Sequence, residues 1–468
     1  MNRIVFLFLL IGNFCFTSSL LAQGLRAGAA KVDLTPPEGV SLDGSISKNG
    51  PVTGVHDPLH ARALVLAEGN TRIAIVIVDA CMVEEEVFLH AKELVHKKSG
   101  FPLDRMLMAA THTHAAPRLI HIGTQPIDDQ YHRDAARKIA QAVLDAEENL
   151  VPAQLAHGSF TLDGLIACRR FLCEPGTVSA NPFGKTGERI KSVAGKSTGV
   201  IEPAGPVDPE FSVISVQDRK GRQIAVLGNF SVHYCGGYRR GMVSADYFGQ
   251  FSEQIEAKLS AKGQRPAIGL MSNGTSGNTG AFQSGGRKFQ PFEGMEYYGR
   301  MMAEKSADLV SQLDHKSNMI IAMQQTDLTL DVRKPSDERL AWAKNILDNP
   351  NMETPHRWSR IYAEEATHLS RFPNQVTIKI QAITLGDLAI ASAPCEVFAE
   401  TGLALKKQTP HPKTIHLELA NGYGGYLPPQ KQPELGGYET WPARSSFLEI
   451  DAEKKILDTQ LKLLQELH

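Results

Sequence analysis

Two hydrophobic periods alternate along this chain. Six apolar runs read as strands: "IAIVIV" (73–78), "MLMAA" (106–110), "QIAVLGNFSV" (223–232), "AIGLM" (267–271), "DLAIASA" (387–393) and "IHLELA" (415–420). Most of their positions are apolar rather than alternately polar, as expected of strands covered on both faces. Between them lie stretches with helical period. In 129–150, Ala136, Ile139, Ala140, Val143 and Leu144 fall on one stripe with charge opposite, and 245–259 and 451–467 repeat the pattern. Strands alternating with helices in this way predict an α/β fold, a single large domain with mixed β-sheets flanked by helices. Residues 170–215 and 275–300, rich in Gly and Pro, read as long loops.

The polar residues at the ends of the apolar runs carry the candidate chemistry. Asp79 follows the first run, His112 and His114 the second, His233 the third, "SNGTSGNTG" the fourth, Glu396 the fifth and "NGYGGY" the sixth. Sites in α/β sheets form outside the carboxyl ends of strands, so these ends are expected to converge. His112, His233 and Glu396 make a His/His/carboxylate set of the kind that holds catalytic zinc with one position open. In "ATHTHAAP" (110–117), an extended backbone would place His112 and His114 on one face, one as ligand and the other for proton transfer. Asp57 and Asp79 are candidates for orienting a histidine, with turn or helix capping as the alternative. No Gly-x-Ser-x-Gly elbow joins an apolar run to a helical stretch (the match at 195–199 falls in the loop reading of 170–215), and Ser272 and Ser276 read as turn residues.

Composition narrows the class. The 468 residues carry a formal net charge of -2, which gives no basis for a nucleic-acid or anionic-membrane partner. At 42% hydrophobic the chain has enough apolar residues for a substantial core. Residues 1–22, with Arg3, an apolar block from Ile4 to Phe16 and Ala22, read as a signal peptide and predict a periplasmic or secreted protein. That block is shorter than the ~20 residues of a spanning helix, and no transmembrane segment is expected in the mature chain. Five cysteines follow Cys15, an odd number that excludes a fully paired framework.

An ordered set of segments then carries a resemblance: "AGAAKVDLTPPEGVSLDG", "HDPLHARALVL", "ATHTHAAP", "PAGPVDPEFSVISV", "NFSVHY", "SADYFGQ", "NGTSGN", "APCEVFAE" and "NGYGGYLP". Together they resemble the N-terminal, catalytic domain of the neutral/alkaline non-lysosomal ceramidase family, over residues 25–468. The resemblance implies one zinc ion held by His112, His233, Glu396 and Tyr426, with His114 beside it. It also places Arg169 of "ACRRF" in the active site, with Cys168 where the family has asparagine. The implied reaction is hydrolysis of an N-acyl amide, in a ceramide-like or other N-acylated substrate, by metal-activated water, with His114 passing a proton to the leaving amine. Two departures bear on the substrate. In the stretch Gly277 to Phe282, Asn278 and Gly280 stand where the family's motif has aspartate and serine, and no segment resembles the family's C-terminal immunoglobulin-like domain, which is therefore not expected here. The alternatives are a zinc-dependent esterase on the same scaffold and a zinc-retaining binding protein without turnover.

Overall fold

The structure, a computed structural model, describes residues 24–44, 50–122, 127–192, 199–260, 265–281 and 288–468. The expected signal peptide lies outside the described residues. Eight strands form the larger sheet: β1 (Arg26–Asp33), β2 (His60–Glu68), β3 (Thr71–Val78), β4 (Met106–Ala110), β5 (Val151–Thr161), β6 (Glu210–Asp218), β7 (Gln223–Phe230) and β8 (Ile268–Asn273). Their spatial order is β8-β7-β6-β5-β1-β2-β3-β4. The smaller sheet has the order β9-β10-β11-β12, from β9 (Ile321–Asp331), β10 (Gln375–Leu385), β11 (Leu388–Ser392) and β12 (Lys413–Leu417). All six apolar runs overlap strands of these sheets.

The two sheets stack face to face. On β3 the alternation decides which layer each residue enters. Ile73, Ile75 and Ile77 pack with Leu107, Leu227, Ile390 and Ile415 between the sheets, whereas Ala74, Val76 and Val78 face the helices α1 (Glu85–Ser99) and α2 (Asp129–Glu148). Both faces of the strand are therefore buried, which is why its sequence does not alternate. The predicted stripe of α2 is its buried face, and the Asp128 side chain caps that helix by accepting from the Tyr131 amide at 2.8 Å. Helices α3 (Asp246–Leu259) and α4 (Glu293–Val310) cover another part of the large sheet. The smaller sheet is covered on its outer face by the C-terminal helix Ala452–Glu466.

Within these two sheets most neighbouring strands run antiparallel, but three pairs are parallel: β3 with β4, β7 with β8, and β11 with β12. Each pair is joined by a crossover helix, namely α1, α3 and Ala399–Gln408. These three units carry the candidate site. His112 and His114 follow β4, His233 follows β7 and Glu396 follows β11.

The loop reading of 170–215 and 275–300 is corrected in part. Short strands Arg170–Cys173, Ile190–Ser192 and Val200–Pro203 form a small sheet, Thr279–Ala281 pairs with Ile166–Cys168, and α4 begins at Glu293. Strands of three or four residues are too short to show a period against a Gly- and Pro-rich background. Cys81, Cys168, Cys173, Cys235 and Cys395 are all unpaired.

Candidate metal centre

β4 ends at Ala110, and the backbone then turns sharply. His112 has φ +76°, so the His-Thr-His stretch is not extended as expected. A non-glycine residue in the left-handed region is held there by its surroundings, and such strain concentrates at functional sites. The two imidazoles still converge, with His114 Nε2 3.3 Å from His112 Nε2.

The tautomer of each buried histidine follows from what its Nδ1 meets. His112 Nδ1 donates to the Cys81 carbonyl at 2.7 Å, and His233 Nδ1 donates to the Ser276 carbonyl at 3.1 Å. A carbonyl only accepts, so both Nδ1 atoms carry the hydrogen and both Nε2 atoms present lone pairs. Those lone pairs face each other, His112 Nε2 to His233 Nε2, at 3.0 Å. Glu396 closes the figure: its Oε2 lies 3.4 Å from His112 Nε2 and 3.6 Å from His233 Nε2. Tyr423 donates to Glu396 Oε1 at 2.7 Å, while Oε2 is buried with no hydrogen-bond partner. Each of the three residues is only 2% exposed, so water does not compensate.

Three electron-rich atoms facing one another in a dry site repel unless something positive lies among them. A triangle with sides 3.0, 3.4 and 3.6 Å has a circumradius of about 1.9 Å. Zinc bonds of ~2.0–2.1 Å to nitrogen and oxygen in a tetrahedron give ligand–ligand edges of about 3.3 Å. The residues therefore fit a small divalent cation capping this triangle with a further position open.

Protonation agrees. Burial, then Arg169 and His112, holds His233 well below its ordinary value, and burial with His112 and Arg169 does the same for His114. Burial works to raise Glu396, but His112, Tyr423 and Arg169 outweigh it and keep the carboxyl below its usual range. His112 goes the other way. Burial disfavours its charge, but Cys81 and the Glu396 carboxylate outweigh burial and hold it well above its ordinary value. A proton on His112 Nε2 is one positive charge that relieves this crowding, and a cation there would take its place.

Around the triangle, Tyr426 pairs with Glu396 in the short parallel strands Glu396–Val397 and Tyr426–Leu427. Burial, Glu396 and Tyr438 push its phenol well above its ordinary value against the pull of Arg169. Arg169 donates to the Tyr426 hydroxyl at 3.1 Å and to the Gly277 carbonyl at 2.8 Å. His114 is half-buried and stacks on Tyr234, with ring centroids 3.8 Å apart.

All six sequence-derived residues, His112, His114, Arg169, His233, Glu396 and Tyr426, thus meet in one place. The carboxylates expected to orient histidines do not serve them. Asp57 instead caps the start of α3, accepting from the Ala245 amide at 2.7 Å and the Ser244 hydroxyl at 2.6 Å. Asp79 pairs with buried Arg62 and accepts from the His60 amide. Backbone carbonyls do the orienting, and a carbonyl leaves no mark in a sequence.

Ser276 is more than a turn residue. Its carbonyl and its Oγ, at 3.3 Å, face His233 Nδ1, and its hydroxyl donates to the buried carboxylate Glu418. Glu418 also accepts from the amides of Ser276 at 3.1 Å and Val397 at 2.9 Å, tying both ligand-bearing loops together. The only sequence signal for Glu418 was a carboxylate inside the apolar run "IHLELA". Asn278 is structural, holding Glu400 and the Ala399 amide.

Residues 25–327 match the family described as neutral/alkaline non-lysosomal ceramidase, N-terminal. Among curated proteins, the chain is 26% identical over 219 residues to neutral ceramidase B of Dictyostelium discoideum, covering 44% of this chain and 28% of that protein. It is 25% identical over 250 residues to the neutral ceramidase of Pseudomonas aeruginosa, covering 50% of this chain and 34% of the other. The matched segments thus span about a third or less of these relatives. The crystal structure of neutral ceramidase from Pseudomonas aeruginosa superposes with a TM-score of 0.69 at 17% identity, over 95% of this chain and 74% of that one. A ceramidase structure described as complexed with C2 gives a TM-score of 0.71. At that identity the superposition establishes the fold, whereas the family rests on the match over 25–327: this chain belongs to the neutral/alkaline non-lysosomal ceramidase family.

Proposed function

We propose that this protein is a zinc-dependent hydrolase of an N-acyl amide, with ceramide or a ceramide-like lipid as substrate, acting outside the cytoplasm. The observation that carries the reading is the triangle of His112 Nε2, His233 Nε2 and the unpartnered Glu396 Oε2. Tyr426 is the fourth protein donor in this reading, supported by its register beside Glu396. A zinc ion there supplies Lewis acidity and a nucleophilic water near neutral pH. The chain's own groups do the rest. His114 begins neutral, as its depressed pKa requires. It takes a proton as the nucleophile forms and returns it to the departing amine. Arg169 stays charged and, anchored by Gly277 and Tyr426, offers its guanidinium to the negative charge that builds on the carbonyl oxygen. Tyr234 and the loop around Gly44 hold the His114 ring in place. Export is supported by the layout of residues 1–22. Among the described residues, no helix is long and apolar enough to cross a membrane.

The test uses the full chain stripped with chelator and reloaded with zinc. Release of fatty acid from a short-chain ceramide is compared with cleavage of the matched ester. Amide hydrolysis that follows zinc loading and vanishes in His112→Ala/His233→Ala supports the reading. Zinc retained undiminished in that double variant, or cleavage of the ester alone, overturns it.

A further inference from the structure

A second group of metal-ligating side chains stands apart from the triangle. Glu84 precedes α1, yet its carboxylate makes no capping bond to that helix. It turns instead to two histidines from different segments. His121 lies beyond the loop that follows the His-Thr-His turn, and its Nδ1 is 2.7 Å from Glu84 Oε2 and 3.0 Å from Oε1. His132 sits in the first turn of α2, with Nε2 2.9 Å from Glu84 Oε1. That nitrogen is buried and meets the carboxylate at an angle outside good hydrogen-bond geometry. The two rings stand with centroids 5.8 Å apart, inclined at 65°. One donor atom from each of the three residues lies within 4.8 Å of the other two.

Both histidines pair with this one carboxylate, so two imidazoles and a carboxylate from three segments share one small space. The carboxylate is already supplied with donors, since the His121 amide also reaches Oε2 at 3.1 Å. The donors are two imidazoles and one carboxylate, a set suited to zinc-type dications rather than to calcium or magnesium. His132 is fixed on a helix with its side chain 18% exposed, whereas the His121 side chain is 71% exposed and free to adjust to the ion.

We infer that Glu84, His121 and His132 form a second zinc-type site, separate from the His112/His233/Glu396 centre. Its place in the chain gives it a structural task. The Glu84 amide donates to the Leu119 carbonyl at 3.0 Å, and Arg444 donates to the His121 carbonyl at 2.9 Å. Cys81, whose carbonyl fixes the tautomer of His112, lies three residues before Glu84. A cation on Glu84 therefore clamps together the segment that orients His112, the loop that follows His114 and the start of α2.

The measurement is zinc stoichiometry. Full-length protein is stripped with chelator, titrated with zinc, passed through a desalting column and assayed by elemental analysis. Two zinc per chain are expected for wild type and one each for His121→Ala/His132→Ala and His112→Ala/His233→Ala. Glu84→Gln, which preserves size and much of the hydrogen bonding, is expected to give one as well, and its circular dichroism should match wild type. If the wild type binds a single equivalent, or if both surface-site variants bind as much zinc as wild type, the second site is refuted. Neither result touches the central triangle, which is tested separately by the His112/His233 variant.

Discussion

Gly44 gives the sharpest mechanical test of the site. Its φ is +90°, and a Cβ added there would lie 2.5 Å from His114 Cα, 2.6 Å from its Cβ and 2.7 Å from its Cγ. Carbon atoms rest about 3.5–4.0 Å apart, so Gly44→Ala must drive His114 back by roughly 0.9 Å. Misplacing a catalytic group by about 1 Å costs on the order of 10² in rate. The left-handed backbone adds strain of roughly 1–3 kcal/mol, so Tm should also fall. The atoms of the triangle are not at this contact, and zinc content should stay at the wild-type level. The assay is turnover of a short-chain ceramide by zinc-loaded enzyme, with metal content measured on the same sample. His114→Ala alone is expected to lose about 10²–10⁴ in turnover. If Gly44 acts through His114, the double variant should be no worse than His114→Ala, because residues in contact are not additive. Turnover of Gly44→Ala within twofold of wild type, or losses that simply multiply in the double variant, would refute the reasoning.

Other substitutions probe different layers. Glu396→Gln should abolish tight zinc retention, read by elemental analysis, while far-UV dichroism stays native; undiminished zinc would remove Glu396 from the site. Arg170 is fully buried against Glu439, with further bonds to Gln432 at 3.1 Å and the Gly436 carbonyl at 2.7 Å. Arg170→Met removes the main partner of a buried carboxylate, leaving it Ser192 at 3.2 Å and Arg169 at 3.8 Å, and should cost about 3 kcal/mol in denaturant unfolding, against under 1 kcal/mol if the pair is dispensable. Lys92 is held down to about 7 by burial, with Lys379 adding to it, and donates to Asn421 at 2.7 Å. Between pH 7 and 10.5 the unfolded chain holds that proton and the folded chain does not, so this group's contribution to stability rises with pH, by at most about 1.4 kcal/mol per pH unit. The stability of wild type relative to Lys92→Met should therefore increase from pH 7 to pH 9; parallel profiles would show that Lys92 stays charged inside the fold.

How much of this was legible in the residues depends on the range of the interaction. Burial on both faces leaves a local trace, so β3, β4, β7, β8, β11 and β12 and the helices α2 and α3 could be found from period and composition. The polar residues that end those strands could be found too, because a histidine or glutamate after an apolar run is conspicuous. His112, His233 and Glu396 follow from that rule, whereas Tyr426 and Arg169 came only through the family resemblance. The α/β layering and the donor types at strand ends can be read from the residues alone, since both depend on contacts along a single segment. It took the folded chain to show that the His-Thr-His backbone turns through φ +76°, that carbonyls of Cys81 and Ser276 set the tautomers, that Asp57 and Asp79 serve helix and core instead, and that Glu84 faces two histidines. Each of those outcomes depends on distances between atoms far apart in the chain, and on backbone groups that every residue carries, so no pattern of side chains along the sequence records them.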